Sequence, residues 1–166
     1  MPQFHVRIDR ADQVFSAAHF ITFADRCEPL HGHDFRVVAE VHGPLDENQY
    51  VVDFLALREE LGKILAGLDH AVLLPTEHPD MSLTVSEREV EVTWADHRWV
   101  FPRGDCRLLP LANTTAELLA RHIGRQLRAS LKERTGRDPQ RIIVEVEESP
   151  GQRAVWAETR TGEDQP

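Results

Sequence analysis

The chain has 166 residues, of which 41% are hydrophobic and 28% charged, a composition typical of one globular domain. Acidic residues outnumber basic residues 28 to 19, and the formal charge of −9 argues against a protein that binds nucleic acid by nonspecific attraction to phosphates. No apolar run approaches the roughly 20 residues of a bilayer-spanning helix. Two cysteines are too few for a disulfide framework, and the amino terminus lacks the apolar stretch of a secretory signal. We therefore expect a cytoplasmic protein without nucleic-acid or membrane partners.

The first part of the chain predicts three strands and then a helix. Residues 3–9 and 34–42 alternate apolar and polar side chains, which is typical of half-buried strands, and a further strand is expected over 14–20. Residues 54–68 change to helical spacing with one apolar stripe. Asp53 is well placed to cap the amino end of that helix.

The last part of the chain predicts a second helix and a hairpin. The helix is expected over 115–134, because Thr114–Glu117 has the form of a capping box and Gly136 provides a stop signal. Two strands are expected over 141–148 and 153–158, separated by a Ser-Pro-Gly loop.

Between the helices, residues 76–112 form an additional segment. Alternation over 87–93, followed by aromatic residues on both sides of a turn at 95–97, predicts an inserted β-hairpin. The elements together predict an α+β fold with a mainly antiparallel sheet and two helices on one face. We expect a single domain over residues 1–158 and a flexible polar tail over 159–166.

Three histidines are candidate metal ligands. His31 and His33 flank a single glycine, and side chains two residues apart on an extended chain point to the same face. That face continues as the apolar face of the strand over 34–42, and imidazoles directed toward a core need partners for their nitrogens. Zn²⁺ is one such partner, and His19 on the preceding strand would complete a three-histidine site with an open fourth position. Ordinary hydrogen-bonded roles are the alternative.

Other side chains suited to proton transfer occur nearby. Cys27 lies four residues before His31, and a thiol close to a dication could have a lowered pKa and act as a base or nucleophile. The alternative is a buried unreactive cysteine, which is the interpretation we adopt for Cys106. Asp69 and His70 could move protons together, or could be a helix-terminal histidine beside an exposed aspartate.

Glu148 is the most informative residue near the carboxyl end. It shares the parity of Val144 and Val146, so its carboxylate is predicted to point inward, where it needs donors such as the parallel N–H groups of a ligand. If the strand ends before this position, Glu148 is instead solvated in the loop.

The ordered set of motifs resembles the 6-pyruvoyl-tetrahydropterin synthase and 6-carboxytetrahydropterin synthase family. The motifs are Phe15-Ser16-Ala17-Ala18-His19, Cys27-x₃-His31-Gly32-His33, Val51-Val52-Asp53-Phe54, Leu68-Asp69-His70, Thr115-Ala116-Glu117 and Val146-Glu147-Glu148. The resemblance implies a tunnelling fold, in which a four-stranded antiparallel sheet is backed by two helices. It also implies a homohexamer built as a dimer of trimers, with active sites at subunit contacts.

The resemblance further implies a zinc-dependent lyase that acts on dihydroneopterin triphosphate. By resemblance, the metal ligands are His19, His31 and His33, and Cys27 is the general base. Asp69 and His70 would complete the proton relay across a subunit boundary. Glu148 would anchor the pterin, and Thr115 matches a position beside the pterin, although its side chain could equally serve the helix terminus.

Members of this family make different products, and the resemblance does not decide which of them this chain makes. The spacing of Cys27 to the histidines resembles the 6-carboxytetrahydropterin synthases of the queuosine pathway, which is our leading interpretation. Glu28 has the spacing of a variant group in which glutamate replaces the cysteine and the product is 6-hydroxymethyl-dihydropterin for folate synthesis. The 6-pyruvoyl product is a further alternative. Outside this chemistry, a non-catalytic pterin-binding module or a zinc hydrolase that uses Glu28 would also fit some of the residues.

Overall fold

The computed structural model describes residues 4–160 of the chain. Two α-helices and twelve strands occur in these residues, together with one 3₁₀ turn at Arg103–Asp105. In chain order the elements are β1 (Phe4–Ile8), β2 (Val14–His19), β3 (Thr22–Phe23), β4 (Arg26–Cys27), β5 (His31–Gly43), α1 (Phe54–Leu68), β6 (Ala71–Pro75), β7 (Ser82–Val85), β8 (Glu89–Trp94), β9 (His97–Pro102), β10 (Cys106–Leu109), α2 (Ala116–Thr135), β11 (Arg141–Ser149) and β12 (Gln152–Thr159).

The long strand β5 organises the main sheet. One edge of β5 pairs antiparallel with β2 near its start and with β1 near its end, and its other edge pairs antiparallel with β11. The strand order is β10-β6-β2-β5-β11-β12, with β1 beside β5. The seven strands confirm an α+β fold but not the expected four-stranded sheet.

The additional strands come from segments without a strong strand pattern in the sequence. β6 pairs parallel with β2 through only two residue pairs, and β10 pairs parallel with β6 through four. The β6 sequence is the continuous apolar run Ala-Val-Leu-Leu-Pro, which is typical of parallel strands covered on both faces. Such a short run has no alternation, so periodicity alone does not separate it from a loop or a helix end.

Both helices pack on the same face of the sheet, as predicted. The predicted apolar face of β5 is confirmed. Its alternate residues are all buried in one core with the inward residues of α1 and α2, namely Phe35, Val37, Ala39 and Val41. The helix over 54–68 has the predicted bounds.

The helix ends are capped by local side chains. The side chain of Asp53 accepts a hydrogen bond from the Leu55 backbone N–H, as expected of an N-cap residue. The N-cap of α2 is Thr115 rather than Thr114, so the predicted capping box does not form. The hydroxyl of Thr114 donates instead to the Phe20 carbonyl. Gly136 ends α2 at a φ of 70°, in the left-handed region that glycine favours.

The inserted segment contains the predicted hairpin, formed by β8 and β9, and one further strand. β7 pairs with β8, so the segment is a three-stranded antiparallel sheet. Its inward residues Met81, Val90 and Val92 form a second buried cluster with Phe20 and Leu74 of the main body. The segment therefore packs on its own chain beside the end of β2.

The first two residues of the segment expected to form a flexible tail make backbone contacts with the main sheet. Thr159 still pairs with Arg141, and the Arg160 backbone N–H donates to the Gln140 carbonyl at 2.8 Å. The rest of the predicted tail, 161–166, lies outside the described residues. Within the described part of the chain, neither helix has the length and apolar character needed to cross a bilayer.

The contact between α2 and β12 gives a test of the packing. A Cβ built at Gly124 would lie 2.3 Å and 2.4 Å from two ring carbons of Trp156 and 3.3 Å from Val144. Overpacking of this kind costs about 1–3 kcal/mol, which exceeds the gain of about 1 kcal/mol that alanine offers over glycine in a helix. We expect Gly124→Ala to lower the free energy of unfolding in urea.

The matched control is Gly62→Ala on α1, where an added Cβ meets no atom within 4 Å. This control is expected to be neutral or stabilising, by up to about 1 kcal/mol. Equal unfolding midpoints for Gly124→Ala and the parent protein would contradict the packing described for Trp156.

Candidate functional site

Three imidazoles converge where β2 ends and β5 begins. The antiparallel register places His19 opposite His31 and Ala17 opposite His33, and all three rings lie on the core face of the sheet. One ring nitrogen from each histidine lies within 4.8 Å of the others. The ring centroids of His19 and His31 are 4.8 Å apart, and those of His31 and His33 are 4.9 Å apart.

Backbone carbonyls orient two of the three rings. His19 Nδ1 lies 2.9 Å from the Thr114 carbonyl oxygen, and His31 Nδ1 lies 2.8 Å from the Pro29 carbonyl oxygen. Carbonyls only accept, so each Nδ1 carries the proton and each Nε2 keeps its lone pair. This is the arrangement in which metal-binding histidines are usually held.

The Nε2 atom of His19 is the clearest sign that a ligand belongs here. His19 is fully buried, and among the described residues its Nε2 has no hydrogen-bond partner. A buried polar atom without a partner costs free energy, and a cation at this nitrogen would remove the cost. Burial also lowers the pKa of His19, although the Thr114 carbonyl and the Glu148 carboxylate oppose the shift. The neutral ring is the form that binds metal. The donor set therefore fits a divalent cation.

Glu148 lies beside this cluster. Its Oε1 is 3.3 Å from His19 Nε2 and 3.8 Å from His33 Nε2, so the carboxylate points inward as the parity predicted. β11 continues through this position, and its register against β12 shifts between Glu147 and Ser149. Such a bulge redirects side chains at the end of a strand. Glu148 is therefore part of the site rather than a solvated loop residue.

A cavity of about 380 Å³ adjoins Glu148 on the side of the α2 amino terminus. Thr115, Glu117, Gln152 and Arg153 contribute to its walls. The Thr115 hydroxyl accepts a hydrogen bond from the Leu118 N–H at 3.4 Å, so it serves the helix terminus in addition to lining the cavity. The cavity could hold a flat polar ring against the Glu148 carboxylate.

Glu28 approaches the imidazoles from the end of the β3–β4 hairpin, and Cys27 precedes it on that hairpin. Glu28 Oε2 lies 3.8 Å from His31 Nε2, and the Glu28 backbone N–H donates to the Ile21 carbonyl. Cys27 is half-buried and its Sγ contacts the Glu28 carbonyl at 3.4 Å. Burial raises the pKa of the Cys27 thiol, and the Glu28 carboxylate raises it further. Cys106 is buried, as predicted.

Asp69 and His70 form a pair at a different place. Asp69 Oδ2 lies 2.8 Å from His70 Nδ1, and Asp69 Oδ1 accepts from the Ser16 N–H at 2.7 Å. That backbone hydrogen bond, followed by His70, lowers the pKa of Asp69. His70 has a φ of 51°, its side chain is 83% exposed, and it borders an open cavity of about 550 Å³ with Asp34 and Asp105.

Within the described residues, Asp69 and His70 are not joined to the imidazole cluster. Over residues 4–160, no hydrogen bond or ion pair links Asp69 or His70 to Cys27, Glu28 or the three clustered histidines. Ser16 holds the pair through its backbone, since its N–H donates to Asp69 and its carbonyl accepts from the His70 N–H. His33 and His70 both line the open cavity of about 550 Å³, without a hydrogen bond between them.

Two contributors to the site carry no signal in the sequence. The Thr114 carbonyl orients His19 from 95 positions away, and a backbone atom is not identified by residue type. Asn113 donates its side-chain amide to the Thr22 carbonyl at 3.0 Å, beside the hairpin that carries Cys27. Only the approach of the α2 amino terminus to the end of β2 brings these groups together.

Sequence comparisons place the chain among tetrahydropterin synthases. The sequence model of the 6-pyruvoyl tetrahydropterin synthase family matches residues 8–159. A relative from Methanocaldococcus jannaschii, named "Putative 6-carboxy-5,6,7,8-tetrahydropterin synthase", is 27% identical over 143 residues, which cover 86% of this chain and 88% of the relative. A relative of the same name from Pyrococcus abyssi is 28% identical over 138 residues, covering 82% of this chain and 80% of the relative.

Solved structures agree with this placement. The 6-pyruvoyl tetrahydropterin synthase of Plasmodium vivax superposes with a TM-score of 0.89 at 27% identity, covering 96% of this chain and all of that one. The Plasmodium falciparum enzyme gives 0.88 at 28% identity, covering 95% and 99%. Two further Plasmodium vivax structures are of variants in which a glutamate, described as a catalytic residue, is replaced by alanine or cysteine. With the family match extending over nearly the whole chain, this protein belongs to the 6-pyruvoyl tetrahydropterin synthase family.

Proposed function

We propose that this protein is a zinc-dependent carbon–carbon lyase that converts dihydroneopterin triphosphate to 6-carboxytetrahydropterin, a step of the queuosine pathway. The observation that carries the proposal is the buried Nε2 of His19, which makes no hydrogen bond and lies in a cluster with His31 and His33, beside the Glu148 carboxylate and a ligand-sized cavity. Two relatives that match more than four fifths of the chain, both named "Putative 6-carboxy-5,6,7,8-tetrahydropterin synthase", support this choice of product.

His19, His31 and His33 would hold the metal. Three imidazole nitrogens with one position left open are the donor set of catalytic Zn²⁺. When bound, the cation would polarise the side-chain oxygens of the substrate and stabilise negative charge that develops there. The carbonyls of Thr114 and Pro29 would keep the Nε2 lone pairs of His19 and His31 aimed at it.

The other residues would bind the pterin and move protons. Glu148 would accept the paired N–H groups of the pterin ring, which matches the geometry of a carboxylate, with Thr115 beside it in the same cavity. Cys27 would take the proton from the substrate side chain as general base. Asp69 would hold the ring of His70, and His70 would pass the proton on.

A second copy of the chain would complete the site. Among the described residues, Asp69 and His70 make no hydrogen bond or ion pair with the imidazole cluster of their own chain, which supports a relay completed by a neighbouring subunit. The edge strand β12 pairs only with β11 within the described residues and exposes 59% of Val155. An unpaired strand edge is a place where another chain can add its own strand. These features support a homo-oligomer, which we propose to be a hexamer built from two trimers.

A second candidate product is 6-hydroxymethyl-dihydropterin, formed with Glu28 as the base. The observation that favours it is the position of the Glu28 carboxylate, 3.8 Å from His31 Nε2, together with a Cys27 thiol whose pKa is raised by burial. The Plasmodium vivax enzyme with its catalytic glutamate supports this alternative.

The metal site predicts the result of elemental analysis. Protein purified with zinc present should contain about one zinc ion per chain, and His19→Ala or His31→Ala should weaken binding by more than about tenfold because each removes one of three donors. His5→Ala is the matched control, since His5 stacks on His42 outside the cluster. A metal content of the His19→Ala protein equal to that of the control would contradict the site.

Product analysis separates the two candidate bases. We expect the parent protein to convert dihydroneopterin triphosphate to 6-carboxytetrahydropterin, and Cys27→Ala to lower that rate by about 100-fold or more, because a general base contributes about this much. Glu28→Gln, which keeps the shape of the side chain, should retain the carboxy product. Liquid chromatography with mass detection identifies the pterin. Full retention by Cys27→Ala, with loss in Glu28→Gln, would reverse the assignment.

Subunit mixing tests whether the relay comes from a neighbouring chain. Oligomers assembled from equal amounts of inactive His19→Ala and His70→Ala chains should recover about a quarter of the parent turnover, because random pairing leaves that share of sites intact. Mixing His19→Ala with His31→Ala is the matched control and should recover nothing, since both changes affect one metal set. No recovery in the first mixture would mean that each chain completes its own site.

A further inference from the structure

The β3–β4 hairpin carries both candidate bases but cannot fix their position alone. Its ladder consists of two residue pairs, and a hairpin of this size is not stable without support from other elements. Its turn residues Ala24 and Asp25 have φ angles of 46° and 60°, a region that alanine adopts only with strain. Contacts outside the hairpin must therefore position Cys27 and Glu28.

These contacts converge on Thr22, which pairs with Cys27 across the hairpin. The Thr22 hydroxyl lies 2.6 Å from His78 Nε2, and the Thr22 carbonyl accepts from the Asn113 amide at 3.0 Å. The Asp80 backbone N–H donates to His78 Nδ1 at 3.0 Å. The neutral imidazole of His78 therefore carries its proton on Nε2 and donates it to the Thr22 hydroxyl.

The inserted segment contacts the hairpin from a second direction. His78 lies in that segment, and Cys27 packs against the buried cluster to which the segment contributes Val90 and Val92. In the same cluster Trp99 stacks on Phe20 with ring centroids 4.6 Å apart. The segment thus holds both the backbone opposite Cys27 and the side chain of Cys27.

The two candidate bases on the hairpin, Cys27 and Glu28, point in different directions. Cys27 packs against the buried cluster, whereas the carboxylate of the next residue, Glu28, approaches His31. Because the two groups are adjacent on one short strand end, a shift of the hairpin by about 1 Å moves both relative to the imidazoles, and displacements of this size can lower a catalytic rate by about 100-fold.

We propose that His78 is a positioning residue for the reaction. Through its hydrogen bond to Thr22 it holds the β3–β4 hairpin, and with it Cys27 and Glu28, at a set distance from the imidazole cluster. The inserted segment is thereby part of the catalytic apparatus without contacting the substrate. The inference rests on the proposed function for its catalytic consequence, whereas the hold on the hairpin can be measured without turnover.

The first measurement is the alkylation rate of Cys27 by iodoacetamide, in metal-loaded protein that carries Cys106→Ala so that one thiol remains. We expect Thr22→Val and His78→Leu to increase this rate by about fivefold or more, because a released hairpin exposes the half-buried thiol. Thr22→Ser keeps the hydroxyl and is the matched control, which should react at the parent rate.

The second measurement separates positioning from binding. In Thr22→Val and His78→Leu, kcat should fall by about tenfold while KM for the pterin substrate and the zinc content stay at parent values, because the cavity beside Glu148 and the three imidazoles keep their contacts. Thr22→Ser should restore kcat.

The outcomes distinguish the two proposals. Unchanged alkylation in both Thr22→Val and His78→Leu, or a Thr22→Ser protein as reactive as Thr22→Val, overturns the positioning role of His78. Faster alkylation in a protein that never converts dihydroneopterin triphosphate supports the hold on the hairpin and refutes the proposed function. Faster alkylation with unchanged kcat overturns the catalytic consequence.

Discussion

The antiparallel pairing of β2 with β5 is the constraint on which the site depends. It brings three imidazoles from two strands to one point on the buried face of the sheet. Burial there is costly unless each nitrogen finds a partner, and the Thr114 carbonyl satisfies only Nδ1 of His19. The remaining Nε2 keeps its lone pair directed at the other two rings, so the same contact that stabilises the fold prepares the donor set for a cation.

The second buried cluster explains why a segment outside the main sheet bears on the site. Phe20 directly follows His19 and packs with Met81, Val90 and Val92 of the inserted segment. The hairpin with Cys27 lies beside this cluster, and it is held by one hydrogen bond at the Thr22 hydroxyl and one at the Thr22 carbonyl. Stabilisation of the insertion and placement of the candidate bases are therefore coupled.

The imidazole cluster and the Asp69–His70 pair are two separate groups along the same strands. The imidazoles lie on the core side with Glu148 and the cavity beside it, whereas the largely exposed His70 borders a different, open cavity. The backbone of Ser16 connects the two groups, because it holds Asp69 and His70 while its neighbours along β2 contribute to the buried face. Under the proposed function, assembly and catalysis would depend on the same strands.

Local patterns in the sequence were sufficient for the elements that bury one regular face: the helix over 54–68, the cap at Asp53, and the shared parity of His31, His33 and the strand that follows. The parallel strands β6 and β10 and the bulge at Glu148 were decided only by the tertiary structure. The same holds for the contacts of Thr114 and His78. Periodicity records which side chains avoid water. It carries no information on which distant backbone carbonyl or strand edge will satisfy a given donor, because that pairing is set by the packing of the whole chain.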